Sequence, residues 1–135
     1  MTQASDERAT LKRRQRILKT SEFRAVYAAR ARAGDGRLVA YARPNGLGLT
    51  RLGVSVGRRC GGSVRRNRIK RLLREAFRRQ RAAMPRGYDV VLVPLATAYT
   101  FQEVSRSVPA LVAEAMRRSG RAAGLKHSSL GAADT

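Results

Sequence analysis

Apolar positions along this chain recur with two different periods, and the changes of period mark its elements. Over residues 63–84 the apolar side chains fall at Ile69, Leu72, Leu73, Ala76 and Phe77, with Gln80 in the same row. That i, i+3, i+4 spacing is the stripe of a helix that buries one face. Asn67, Lys70, Arg71, Arg74, Arg78 and Arg81 project to the other side at about 100° per residue, and Arg66 and Arg68 flank the start of the stripe. Gly61 and Gly62 break the chain before this helix, Ser63 is placed to cap it, and Pro85 with Gly87 stops it. At about 1.5 Å per residue the rod is about 30 Å long.

Two further helices are predicted. Thr20 or Ser21 can cap a short one running to Ala29, on which Phe23, Val26 and Tyr27 share a face. Thr100-Phe101-Gln102-Glu103 is a capping box for a longer one. Its stripe is Val104, Val108, Leu111, Val112, Ala115 and Met116, with Pro109 as an irregularity. Strand periodicity appears over 37–43, where Leu38, Ala40 and Ala42 alternate with Val39 and Tyr41. Pro44-Asn45-Gly46-Leu47-Gly48 then reads as a hairpin connection, with 52–56 as the returning strand. Residues 89–94, DVVLVP, are almost wholly apolar, as in a strand covered on both faces. Gly34 and Gly36 punctuate a turn, and 57–62 is expected to be a flexible basic loop.

The order helix, strands, helix, strand, helix implies an α/β fold with a sheet of about four strands. Residues 52–56, 63–84 and 89–94 form a β-α-β unit, for which a right-handed crossover is the general expectation. Residues 1–10 are expected to form a mobile N-terminal tail, 11–118 the folded domain, and 119–135, where periodicity is lost, a disordered C-terminal tail.

Charge changes the picture. The chain carries 29 Lys and Arg against 9 Asp and Glu, a net charge of +20. Within residues 65–81 nine of seventeen positions are basic, and Glu75 is the only acid. An overall preference for Arg over Lys explains the residue type but not the clustering. A merely solvated helix would mix acids in at i+4. The row therefore points to a polyanion longer than one phosphate, and guanidinium groups suit RNA because they fork onto phosphates and stack on bases.

The same sequence argues against several chemistries. Cys60 is the only cysteine, so no intrachain disulfide can form, and it reads as a small residue at a loop–helix junction. His127, the only histidine, lies in the tail, and the acids are scattered along the chain. A two-metal nuclease needs converging carboxylates and a metal-free ribonuclease generally needs histidine. No catalytic or metal-binding residue is assigned to the protein. No phosphate-binding G-x-x-x-x-G-K-[ST] loop is present. No apolar run suffices to span a bilayer, and the N-terminal stretch has no signal-like apolar region, so a cytoplasmic protein without a membrane partner is expected.

At this point a resemblance becomes specific. Arg66-Asn67-Arg68, Ile69-Lys70-Arg71 and the run 72–77, LLREAF, follow 52–56, LGVSV, and the basic pair Arg58-Arg59, and precede 87–91, GYDVV. This ordered set resembles the bacterial ribonuclease P protein component over residues 11–118. The resemblance implies an αβββαβα two-layer sandwich, similar to a ribosomal protein fold, with an unusual left-handed β-α-β crossover. It implies a protein subunit that assists a catalytic RNA in Mg²⁺-dependent removal of the 5′ leader of precursor tRNA. The magnesium would belong to the RNA holoenzyme, the partners would be the catalytic RNA subunit and precursor tRNA, and no obligate protein partner is expected. Carried over by position, Arg58, Arg59, Arg66, Arg68, Lys70, Arg71 and Arg74 would contact RNA, and Asn67 would orient the junction. Phe23, Tyr27 and Tyr41 would line a cleft for the leader, where a sequence-tolerant site needs aromatic faces. Departures are small: Gly57 stands where the family usually has Ser, Arg58-Arg59 where Lys-Lys is common, and Tyr27 where Phe is frequent. The alternative of a ribosome-associated structural RNA binder shares the fold type but does not call for the aromatic cleft. A DNA-binding module would place a positioning helix before the basic one, and here a strand and a glycine loop precede it.

Overall fold

The computed structural model describes the backbone of residues 11–132 and the side chains of residues 11–120. The expected tail over 1–10 lies outside the described residues. Helix α1 spans Thr20–Ala28. Strands β1 (Arg32–Gly34), β2 (Leu38–Pro44) and β3 (Arg51–Val54) follow. Helix α2 is Ser63–Gln80, β4 is Tyr88–Pro94, and α3 runs Phe101–Ala132.

The four strands form one mixed sheet in the order β1-β2-β4-β3. β4 pairs antiparallel with β2 and parallel with β3, so α2 is the crossover between neighbouring parallel strands. This corrects the expected hairpin between β2 and β3, since β4 is inserted between them. The physical reason is burial. β4 is the most continuously apolar strand and takes the position covered on both faces, whereas β3, with only four residues, serves as an edge. Asn45 turns the connecting loop aside, its Nδ2 donating to the Leu49 carbonyl at 3.1 Å and to Asp89 at 2.8 Å.

Alternation along β2 sorts the molecule into layers. Leu38, Ala40 and Ala42 face α2 and α3, where they join Val90, Leu92, Ile69, Leu73, Phe77, Val104, Val108 and Val112 in the main core. Val91, with Tyr41 and Val93 beside it, faces the other way, against Val26 of α1 and Ile17. The sheet and the α2–α3 pair thus make the sandwich, and α1 lies across the opposite face.

Several local expectations shift. Ser63 is the first helical residue and not the cap. Gly62 occupies the cap position in an extended conformation, and no side chain caps the helix. α2 ends at Gln80 and continues as a single 3-10 turn, Arg81–Ala83, before Pro85. Lys19, not Thr20 or Ser21, caps α1; the Glu22 carboxylate accepts its backbone N–H at 3.3 Å. The turn at Gly34 is preceded by a short strand, β1, which registers Arg32 against Tyr41. Asp35 closes that turn by accepting the N–H groups of Arg37 and Leu38, each at 2.9 Å. Thr100 does cap α3, its Oγ1 accepting from the Glu103 N–H at 3.1 Å. α3 continues through Pro109 because Val108 and Val112 on either side are wholly buried. It also runs on over 119–132, within the stretch 119–135 where the sequence reading expects a loose tail; residues 133–135 lie outside the described residues. Ser119, at the start of that stretch, is still buried on the stripe.

Candidate nucleic-acid interface

The basic row is built from a turn and a helix. Arg58–Cys60 is a 3-10 turn and not a flexible loop. Cys60 is wholly buried, and its Sγ–H lies 3.5 Å from the Pro94 carbonyl, so it anchors the turn to the end of β4. Burial pushes its thiol pKa up, with Arg59 and Arg66 opposing, which fits an anchor and not a nucleophile. Arg58 and Arg59 are left exposed on the outside of the turn. Gly61 follows at φ +120°, and a Cβ there would lie 2.6 Å from Cδ of Arg65. Only glycine fits that corner, and it lets α2 start directly behind the two arginines.

Along α2, Asn67, Arg68 and Arg71 are exposed, and Arg66, Lys70 and Arg74 are half-buried. The predicted face is therefore present but not uniform. Arg78 turns back onto Glu75, its Nε donating to Oε1 at 3.0 Å, and Arg79 reaches the same carboxylate at 2.8 Å. These two arginines, with burial opposing, hold the Glu75 carboxyl below its usual range. Glu75 thereby engages Arg78 and Arg79, offsetting part of the charge at the C-terminal end of the row. Arg66, Arg68, Lys70, Arg71 and Arg74 have no carboxylate within ion-pair distance among the described residues. Burial and the nearby Arg16 guanidinium lower the pKa of Arg74. Arg16, Arg68, Arg71 and Arg74 rim a cavity of about 570 Å³ whose apolar wall includes Leu11, Leu72 and Phe101. The sequence reading did not single out Arg16. The only signal for it was the basic run before α1.

The aromatic cluster lies on the other face of the sheet. Tyr27 on α1 meets Tyr41 on β2 edge to face, with ring centroids 5.0 Å apart and planes at 76°. Both are half-buried, so each ring keeps an open side. The Arg32 guanidinium stands over Tyr41 at 6.0 Å, close enough for a cation–π contact. Arg32 was missed because β1 was missed. Phe23 is placed differently from the two tyrosines. Its ring lies against Gly53 of β3, where a Cβ would come within 2.7 Å of Cε1 and Cζ. Phe23 is thus a wedge between α1 and β3, beside the Tyr27–Tyr41 pair.

The angle of α1 over the sheet is set by an ion cluster. Arg51 donates from Nε and Nη2 to the two oxygens of Asp89 at 2.9 and 2.7 Å, and from Nη1 to Glu22 at 3.1 Å. Burial disfavours the charge on Glu22, but the Lys19 N–H and the Arg51 guanidinium outweigh it and hold the carboxyl low. The remaining described acids are also engaged. Glu103 pairs with Arg37, and Glu114 with Arg117 and Arg118. Among the described residues no three His, Cys, Asp or Glu side chains gather as a metal site. No helix among them is long and apolar enough to cross a membrane.

Comparison with known proteins bears on the family and the fold. The family model described as Ribonuclease P matches residues 11–116. The ribonuclease P protein component of Clostridium kluyveri is 40% identical over 104 residues, covering 74% of this chain and 93% of the relative. That of Caldanaerobacter subterraneus subsp. tengcongensis is 45% identical over 78 residues, covering 58% and 67%. Among solved structures, the Staphylococcus aureus RNase P protein superimposes with a TM-score of 0.66 at 26% identity, over 73% of this chain and 93% of that one. The Thermotoga maritima RNase P protein gives 0.65 at 28%, over 73% and 96%.

Proposed function

The chain belongs to the bacterial ribonuclease P protein family, and from that premise we propose how its two surfaces divide the work. Its function is that of the protein subunit of ribonuclease P, the RNA-based enzyme that matures the 5′ end of tRNA. In this reading Arg58, Arg59, Arg66, Arg68, Lys70, Arg71 and Arg74 bind backbone phosphates of the catalytic RNA, and Asn67 orients the turn–helix junction. Tyr27 and Tyr41, with Phe23 beneath them, hold the single-stranded leader of precursor tRNA.

The observation that carries the reading is the placement of these groups on opposite faces of one sheet. A row of guanidinium groups with no carboxylate partners suits a folded polyanion, because each phosphate it neutralises releases counterions. Two half-open tyrosine rings beside Arg32 suit unpaired bases, since every base has a face to stack. One rigid body can therefore hold the catalytic RNA on one side and the leader on the other.

Bond breaking belongs to the RNA, with magnesium held there and not by the chain. This is supported by the described acids: Glu22, Glu75, Asp89, Glu103 and Glu114 pair with arginines, and Asp35 accepts backbone N–H groups. The protein orients and neutralises. No obligate protein partner and no membrane enter this reading, and the work is placed in the cytoplasm.

Reconstitution tests it. Added to the catalytic RNA at low Mg²⁺, the protein should stimulate precursor cleavage, and Arg68→Ala should need more protein to do so. Cleavage by the purified chain freed of RNA would overturn the division of labour.

A further inference from the structure

A third basic feature lies away from both surfaces. Arg14, Arg81 and Arg86 bound a cavity of about 590 Å³ beyond the C-terminal end of α2. The 18-residue helix separates it from the Arg58–Arg59 turn by about 27 Å at 1.5 Å per residue. No carboxylate pairs with any of the three among the described residues. Nε of Arg81 is buried and has no hydrogen-bond partner there. A buried guanidinium donor without a partner is costly, and three like charges around one cavity repel. Burial, then Arg86 and Arg14, lower the pKa of Arg81.

The surroundings fix the backbone that carries Arg14 and Arg86. Thr50, itself buried, donates from Oγ1 to the Pro85 carbonyl at 2.8 Å and accepts the Tyr88 N–H at 3.2 Å. Gly87 follows at φ +91°, and its carbonyl accepts the Asn45 N–H at 2.8 Å. Arg86 therefore sits on a turn fixed from both sides. Arg14 lies in the 3-10 turn Arg13–Gln15, tied to β3 where the Ile17 N–H donates to the Leu52 carbonyl at 2.9 Å.

We infer that Arg14, Arg81 and Arg86 form a second anion site that takes a phosphodiester group of an RNA backbone, separate from the basic row and from the aromatic cleft. The inference rests on the reading of the chain as a ribonuclease P subunit. A phosphate supplies what the site lacks. It offers acceptors for the stranded Nε and for two more guanidinium forks, and its charge relieves the repulsion. With contacts at both ends of α2, a structured RNA would be gripped at two separated points.

The test uses the full chain with Arg14→Gln and Arg86→Gln together, both exposed, so that folding can be verified by thermal unfolding. One arm titrates the catalytic RNA over a range of monovalent salt. The other titrates precursor and mature tRNA against preassembled holoenzyme. Affinity should fall about tenfold, and the slope of log K against log salt should become shallower by about 0.7–0.9 per lost phosphate. Loss in the first arm places the phosphate in the catalytic RNA. Loss in the second alone, equal for precursor and mature tRNA, places it in the tRNA body. Arg14→Lys with Arg86→Lys should keep the wild-type slope. Unchanged affinity and slope in both arms, while Arg68→Ala flattens the slope, would overturn the inference and leave the proposed function standing. Loss confined to the preference for precursor would also overturn it. A wild-type chain that bound no catalytic RNA would instead sink the reading on which the inference rests.

Discussion

Arg51 and Asp89 face each other across the parallel β3–β4 pair in a two-pronged ion pair, with bonds of 2.9 and 2.7 Å. Asp89 is 1% exposed, so its charge depends on that fork and on Asn45. Because Arg51 also reaches Glu22, a single guanidinium joins the edge strand, the central strand and α1. Asp89→Ala leaves the Arg51 guanidinium half-paired in a partly buried position. Removing one partner of a buried pair costs about 3 kcal/mol or more. Urea unfolding of wild type and variant at neutral pH should show that loss as a lower midpoint with an unchanged slope.

The Glu22 arm of the cluster has a pH signature. Its carboxyl is held below the usual range, so its contribution is present in full above the unfolded value of about 4.3 and is lost as pH falls through the lower folded value. Glu22→Gln should be less stable than wild type at neutral pH, and the gap should narrow as pH falls below about 4.3. The check is thermal unfolding of both proteins from pH 7 to pH 3. A gap that persisted unchanged at the acid end would mean that Glu22 acts through packing and not through its charge.

These two residues also mark where reading the chain stops being sufficient. The stripe of α2 was legible because Ile69, Leu73, Ala76 and Phe77 repeat at a helical period, and all four are buried. The central strand was legible because DVVLVP admits no solvated face. Strand order was not, because Pro44-Asn45-Gly46 carries the local chemistry of a hairpin while the burial of β4 between β2 and β3 is a long-range effect. β1 has only three residues, too few to show a period. With it went the Arg32–Tyr41 register and the cation beside the cleft. The basic row was readable as composition. Which of its cations meet a carboxylate was not, since that depends on which way Arg78 and Arg79 bend toward Glu75.

Tyr41 offers the sharpest test of the cleft. Its ring is fixed by Tyr27 on one edge and flanked by Arg32. Tyr41→Ala should weaken holoenzyme binding of precursor tRNA by about 1–3 kcal/mol, the range for one stacked base. Binding of mature tRNA, which has no leader, should change little. Arg32→Gln should act in the same direction with a smaller effect. Equilibrium binding of both tRNAs to holoenzyme reconstituted with each variant supplies the comparison. Equal losses for precursor and mature tRNA would make Tyr41 a packing residue.

The packing of Phe23 under α1 depends on an absent side chain. Phe23 rests on the backbone of Gly53, and a methyl group there would come within 2.7 Å of two ring carbons and 3.2 Å of Cβ of Ile17. Gly53 is buried in β3, between residues that pair with β4, so the strand cannot retreat. Gly53→Ala must therefore push Phe23, and α1 with it, away from the sheet. Overpacking of this kind costs about 1–3 kcal/mol. It should also widen the cleft, so precursor affinity should fall while assembly with the catalytic RNA, on the opposite face, is retained. Gly53→Ala combined with Phe23→Leu removes the colliding ring edge and should recover most of the stability. The double variant should not recover full leader preference, because the smaller side chain gives Tyr27 less support. Thermal unfolding and paired tRNA titrations of the single and double variants separate the two effects. If Gly53→Ala proved as stable as wild type and bound precursor equally well, Phe23 could not be the wedge that sets the height of α1.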